Sequence, residues 1–163
     1  MKKALLALLL AISLATPSWS APIYTFPISG CKTTYGKYHH DYPASDIKAK
    51  FGCAFVAPIN GVVEDVSTKD RWSGKTNLGQ HRGGLSISII GDDGVRYYGS
   101  HLSKIEPGIA PGVVVVSGQK LGEVGRTGSA RGIPKPHLHF GISYPTYSIP
   151  RYFGISYPTY SIP

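Results

Sequence analysis

After residue 20, no stretch of this chain sustains an apolar period of 3.6 residues; its apolar residues come in short runs closed by turn residues. This pattern constrains the fold most, because an amphipathic helix needs the longer period and a half-buried strand needs alternation. Leu85-Ser86-Ile87-Ser88-Ile89-Ile90 alternates apolar and polar residues. Gly91-Asp92-Asp93-Gly94 then signals a hairpin, and Val95-Arg96-Tyr97-Tyr98-Gly99 reads as its returning strand. Further strands are expected within residues 55–58, 61–66, 113–116, 118–125 and 137–143, with Asn60-Gly61 as a turn. Abundant Gly and Pro, with frequent Val, Ile and Tyr, fit short strands joined by turns. The expected fold is all-β with few or no helices. Residues 67–84 are polar and contain glycine, so they are expected to form a long loop, a kind of segment that often carries function.

The first 20 residues read as a secretory leader. Lys2 and Lys3 precede an apolar stretch from Ala4 to Ala15 that is too short to span a bilayer, and Ser18 and Ser20 supply small residues for cleavage before Ala21. No later segment is long and apolar enough to span a membrane, so none is expected after cleavage. The remaining 143 residues suffice for one domain with its own core, taken here as residues 21–150. Export places Cys31 and Cys53, the two cysteines of the chain, in an oxidising compartment, where they are expected to form a disulfide around residues 39–46. A periplasmic or secreted location follows from the same leader. Phe140-Gly141-Ile142-Ser143-Tyr144-Pro145-Thr146-Tyr147-Ser148-Ile149-Pro150 recurs unchanged at 153–163. Two copies do not make a solenoid, and residues 151–163 are expected to be a peripheral duplicated tail.

The chain carries 17 Lys and Arg against 9 Asp and Glu, and loss of Lys2 and Lys3 with the leader leaves a net charge of +6. That balance favours anionic partners of the cell envelope. Nucleic acid is not expected, since no basic run is interleaved with stacking aromatics and the chain is exported. Gly118, Gly122, Gly125 and Gly128 read as turn formers; no P-loop lysine motif accompanies them.

Chemistry concentrates in the histidines. In an extended His137-Leu138-His139-Phe140, both imidazoles face one way while Leu138 and Phe140 face the other. Such a pair suits a zinc site in which one ring binds metal and its neighbour handles a proton. A catalytic zinc takes three protein ligands and an open position, so another segment has to complete the set. His39-His40 with Asp46 is the best candidate, and Ser100-His101-Leu102 offers a further imidazole. His81 lies in the polar loop and reads as a surface or groove residue.

Five segments in order carry a resemblance: His40-Asp41-Tyr42-Pro43-Ala44-Ser45-Asp46-Ile47; Val56-Ala57-Pro58-Ile59-Asn60-Gly61-Val62-Val63; Tyr97-Tyr98-Gly99-Ser100-His101-Leu102; Gly118-Gln119-Lys120-Leu121-Gly122-Glu123-Val124-Gly125-Arg126-Thr127-Gly128; and His137-Leu138-His139-Phe140-Gly141. From about Gly36 to Tyr144 the chain resembles the lysostaphin/LytM-type zinc metallopeptidases, which cut cell-wall peptides. The resemblance implies a groove formed by an antiparallel β-sheet, related to the biotinyl/lipoyl-carrier barrel-sandwich. It implies one Zn2+ ion, with His139 as a ligand, His137 as a catalytic residue and His101 as the other catalytic histidine. It also implies that Asp46 is a ligand. The family's usual His-x-x-x-Asp spacing would place the histidine ligand at position 42, which is Tyr42 here. The chain looks like the variant with two extra residues, which makes His40 the ligand and His39 the fallback. The even six-residue offset of His40 from Asp46 would let both face one side of an extended segment.

The activity implied is that of an exported zinc metalloendopeptidase hydrolysing peptide cross-links of bacterial peptidoglycan, acting as a monomer and open to a protein regulator. An alternative is a catalytically inactive LytM-like module that binds and regulates a cell-wall amidase. A lipoyl- or biotinyl-like binding domain is a third reading, but the chain lacks the carrier lysine turn.

Overall fold

The computed structural model describes residues 21–36, 39 and 43–145. The expected leader, the candidate ligand His40 and the duplicated tail lie outside the described residues. Nine strands form among the described residues: β1 (Ile28–Ser29), β2 (Ala44–Lys48), β3 (Ala54–Val56), β4 (Gly61–Ser67), β5 (Leu85–Gly91), β6 (Arg96–Ile105), β7 (Val114–Val115), β8 (Lys120–Val124) and β9 (His137–Ser143). Two 3-10 turns, Gly79–His81 and Gly128–Gly132, are the helical elements among the described residues. No helix among them is long and apolar enough to cross a membrane. The all-β expectation holds.

The strands form one sheet in the order β1-β3-β8-β6-β5-β4-β7, with β9 joined to β6 and β2 to β9. Every pairing is antiparallel. Strand β6 organises the sheet. Its first half, from Arg96 to Ser100, pairs with β9, whereas Leu102, Lys104 and Ile105 pair with β8. It runs six residues beyond the return strand expected at 95–99, carrying His101 into the sheet.

The core follows the period-2 alternation. Ile87 and Ile89 of β5, Tyr97 of β6, Leu138 and Phe140 of β9, Phe55, Leu121 and Val124 are buried in one cluster. Burying a side chain of this size contributes about 1.5–3 kcal/mol. Gly99 points into the same cluster, where a Cβ would come within 2.6 Å of the Phe55 ring, so β6 can approach β3 only without a side chain there.

On the opposite face the alternation of β5 did not reveal how little water would remain. Ser86 and Ser88 are each only 7% exposed. Ser88 Oγ donates to Glu64 Oε2 at 2.9 Å, Arg96 Nε donates to the same oxygen at 2.5 Å, and Arg96 Nη2 pairs with Glu64 Oε1. This polar layer continues laterally into the histidine cluster described below. Cys31 and Cys53 are disulfide-bonded, with Cα atoms 6.1 Å apart. The bond ties the chain ahead of β2 to the turn before β3.

Candidate metal centre

Ladder register brings the first two candidate ligands together. Asp46 of β2 lies directly opposite His139 of β9, which in turn lies opposite Ser100 of β6. Directly opposed residues share a face, so Asp46, His139 and Ser100 form a row across three strands. His139 Nδ1 donates to Asp46 Oδ1 at 2.9 Å. His137, two residues earlier, shares that face; its Nε2 is 3.9 Å from the same oxygen. Leu138 and Phe140 turn into the core as the alternation predicts. The imidazoles are nevertheless buried, not solvated, at 4% and 9% exposure.

His39 supplies the third donor. Its Nε2 lies 3.6 Å from Asp46 Oδ1, and its ring meets that of His139 at 4.7 Å, nearly perpendicular. The candidate ligand atoms of His39, Asp46 and His139 all lie within 4.8 Å of one another. Atoms bound at about 2.0–2.2 Å around a tetrahedral ion sit roughly 3.3–3.6 Å apart. The observed 2.9 and 3.6 Å separations bracket that range. Two imidazoles and one carboxylate are an ordinary zinc donor set, so the residues fit the ion. Burial works against the Asp46 charge, but the hydrogen bond from His139 and the neighbouring His137 and His39 hold its carboxyl down at about 2. It is therefore ionised, as a ligand has to be.

His101 reaches this face by a different device. Leu85 pairs with Leu102 and Ile87 with Gly99, so β6 has one more residue than β5 in this interval. That is a β-bulge, and His101 within it has φ +63°, the left-handed region. Such a conformation costs a non-glycine residue about 1–3 kcal/mol and persists where the surroundings impose it. Here the His101 N–H donates to Gly83 O at 2.9 Å, and Nδ1 donates to Thr127 O at 2.9 Å. Since a carbonyl can only accept, Nδ1 carries the proton and Nε2 the lone pair. The His101 ring lies 4.9 Å from that of His137 and 6.0 Å from that of His139. Burial pushes its pKa down to about 4, aided by His137 and His139, so the ring is neutral near pH 7. His137 Nδ1 faces Lys135 O at 3.3 Å, which leaves its Nε2 as the acceptor as well.

The structure thus groups His101, His137, His139, Asp46 and His39. His40 lies outside the described residues, and His81 lies in the 3-10 turn Gly79–His81. Gly83 and Thr127, whose carbonyls accept from His101, and Asp70, which accepts from the Gly128 N–H, lie in segments the sequence flags, but nothing there assigns them individual roles.

The profile described as peptidase family M23 matches residues 40–149. No curated protein matches the chain. Among solved structures, the catalytic domain of the antimicrobial peptidase lysostaphin from Staphylococcus simulans is similar, with TM-score 0.51 and 28% identity over 69% of this chain and 79% of that one. A solution structure of lysostaphin gives TM-score 0.53 and 28% identity over 73% of this chain, which spans 46% of that one. A candidate glycyl-glycine endopeptidase LytM from Ruminococcus gnavus shares the fold, with TM-score 0.58 and 24% identity over 76% of this chain and 53% of that one. The family profile runs from the β2 segment with Asp46 through the His137–His139 strand, over most of the described sheet, and on that match the chain belongs to peptidase family M23.

Proposed function

We propose that this chain is an exported zinc endopeptidase that hydrolyses peptide cross-links of bacterial peptidoglycan. The observation that carries the reading is the His39, Asp46 and His139 donor set, within 4.8 Å, flanked by two further imidazoles. His39, Asp46 and His139 would hold the ion. When bound, zinc supplies a Lewis acid that polarises a carbonyl and makes water nucleophilic near neutral pH. His101 and His137 do the proton work. Each ring donates from Nδ1 to a backbone carbonyl and keeps Nε2 free to accept, so one can take a proton from water and return it to the departing amine. Once protonated, either Nε2 can donate to the oxyanion that develops on the attacked carbonyl.

Digestion of purified peptidoglycan with zinc-loaded protein, followed by mass spectrometry of the products, tests the activity. Peptide fragments whose new termini map to one bond support it. Intact wall material, with zinc bound stoichiometrically, supports instead the regulatory module inferred from the same resemblance. Variants then test the roles. His139→Ala and His39→Ala should lose zinc, whereas His137→Ala should keep zinc and lose turnover. If His40→Ala loses zinc and His39→Ala keeps it, His40 is the third ligand.

A further inference from the structure

His101 is held by a peptide group, and that group is itself held by a carboxylate. The Thr127 carbonyl accepts from His101 Nδ1 at 2.9 Å. The N–H of the same planar peptide, on Gly128, donates to Asp70 Oδ2 at 3.0 Å. Asp70 comes from the loop between β4 and β5, far from Thr127 in sequence. Its Oδ2 also accepts from Arg131 Nε at 3.0 Å and Nη2 at 2.6 Å, and its Oδ1 accepts from Trp72 N–H at 3.1 Å. Burial would raise the Asp70 pKa, but the Gly128 N–H, Arg131 and the Trp72 N–H lower it on balance, so the group stays charged. We propose that Asp70 positions His101 by gripping the Thr127–Gly128 peptide, making an aspartate–peptide–histidine relay.

Two physical effects follow. The first is geometric. Gly128 has φ +64°, and a glycine beside a peptide bond lowers the cost of flipping that peptide. A flip would swing the Thr127 carbonyl away from His101. Thr127 Oγ1 pins one side of the unit, donating to Leu102 O at 2.7 Å and accepting from Leu85 N–H at 3.0 Å. Asp70 pins the other side. The second effect is electronic. A carboxylate on the N–H end of a peptide polarises it, and linked hydrogen bonds strengthen one another. The Thr127 carbonyl becomes a better acceptor, the Nδ1–H tautomer of His101 is favoured, and Nε2 is left to accept protons. An aspartate placed directly on a catalytic histidine does the same in serine hydrolases; here a peptide group stands between them.

The proposal rests on His101 serving the reaction proposed above, and its test separates the two. In the metal-free full chain, long-range 1H–15N spectra of the histidine rings report the His101 tautomer with no substrate present. The wild type should show a single Nδ1–H form. Asp70→Ala should give a mixed tautomer, and in the zinc-loaded protein it should lower kcat by about tenfold or more, with KM within about twofold and zinc content unchanged. Asp70→Asn keeps an acceptor for the Gly128 N–H without the charge, and should fall between wild type and Ala in both readouts. A merely structural role predicts a lower melting temperature, raised KM or lost zinc, with the tautomer kept, and would overturn the proposal. Unchanged ring spectra with unchanged kcat in both variants would overturn it too. Should Asp70→Ala fail to fold, Asp70→Asn decides by the same two readouts. A tautomer shift in a protein that cleaves nothing would uphold the positioning role while removing the peptidase reading.

Discussion

Reduction of the Cys31–Cys53 disulfide should destabilise the fold and weaken the candidate metal centre by different amounts. The bond closes a loop across 22 positions. For a loop of that size the chain-entropy relation gives about 3.4 kcal/mol at 25 °C, a loss felt mainly through the unfolded state. The same loop contains His39 and Asp46, which are not equally dependent on it. Asp46 sits in β2, which pairs with β9 over five residues, from Ala44–Gly141 to Lys48–His137. His39 lies outside any strand, between the isolated Thr34–Lys48 bridge and β2. Opening the bond frees the Cys31 end of that segment, while Asp46 and His139 stay opposed on their ladder. Zinc affinity should therefore fall toward that of a two-ligand site without vanishing. Urea unfolding of the metal-free protein, oxidised and reduced, measures the first effect; bound zinc would otherwise add its own stabilisation. Competition with a chromophoric chelator measures the second. A Cys31→Ala/Cys53→Ala variant repeats both without a reductant that binds zinc. A stability difference under about 1 kcal/mol, or unchanged zinc affinity, would refute the reasoning. Peptide mapping that finds both thiols free would remove its premise.

Other outcomes follow from single contacts. Leu138 is fully buried directly behind the two histidines, so Leu138→Ala should cost about 2–5 kcal/mol in denaturant unfolding and loosen the metal site with it. Gly128→Ala meets both a left-handed φ and overlap with the Arg82 carbonyl; it should cost about 2 kcal/mol or more by thermal unfolding and reduce turnover through His101. The Arg96 hydrogen bonds hold the Glu64 carboxyl below the usual glutamate range, against the effect of burial. A depressed folded pKa means that Glu64 stabilises the fold fully above its unfolded value, about 4.3, and loses that contribution as pH falls through the folded value. Glu64→Gln should thus cost about 1–2 kcal/mol at pH 7, and the gap from wild type in unfolding free energy should close as the pH is taken below 4.

Features with a short period in sequence were legible, and those set by distant contacts were not. His137 and His139 share a face because strands alternate, which needs no knowledge of the partner strand. The pairing of His139 with Asp46 spans 93 positions, and residue types at that separation carry no register. The parity argument for His40 is neither upheld nor overturned: residues 40–42 lie outside the described residues, and β2 as described runs from Ala44 to Lys48. His101 was legible as a motif histidine but not in its conformation. A left-handed histidine in a bulge is imposed by Gly83, Thr127 and Leu102 together, and none of these is its neighbour in a local pattern except Leu102.

The polar face carries the deepest consequence of register. Asp46, His137, His139, Ser100 and the hydrogen-bonded Ser88–Glu64–Arg96 group all project from one side of the sheet, while Leu138, Phe140, Ile87 and Ile89 project from the other. A slip of one residue between β9 and either neighbour would exchange these sets, placing imidazoles in the core and leucine on the polar face. Core packing and site assembly therefore select the same register. The apolar face supplies the energy that fixes it, and the row of Asp46, His139 and Ser100 inherits its alignment. His101 does not inherit its alignment in this way, because the bulge removes it from the ladder's alternation. Its orientation has to come from hydrogen bonds to the two loops, which is why the loop residues around it, and not the strands, should govern its chemistry.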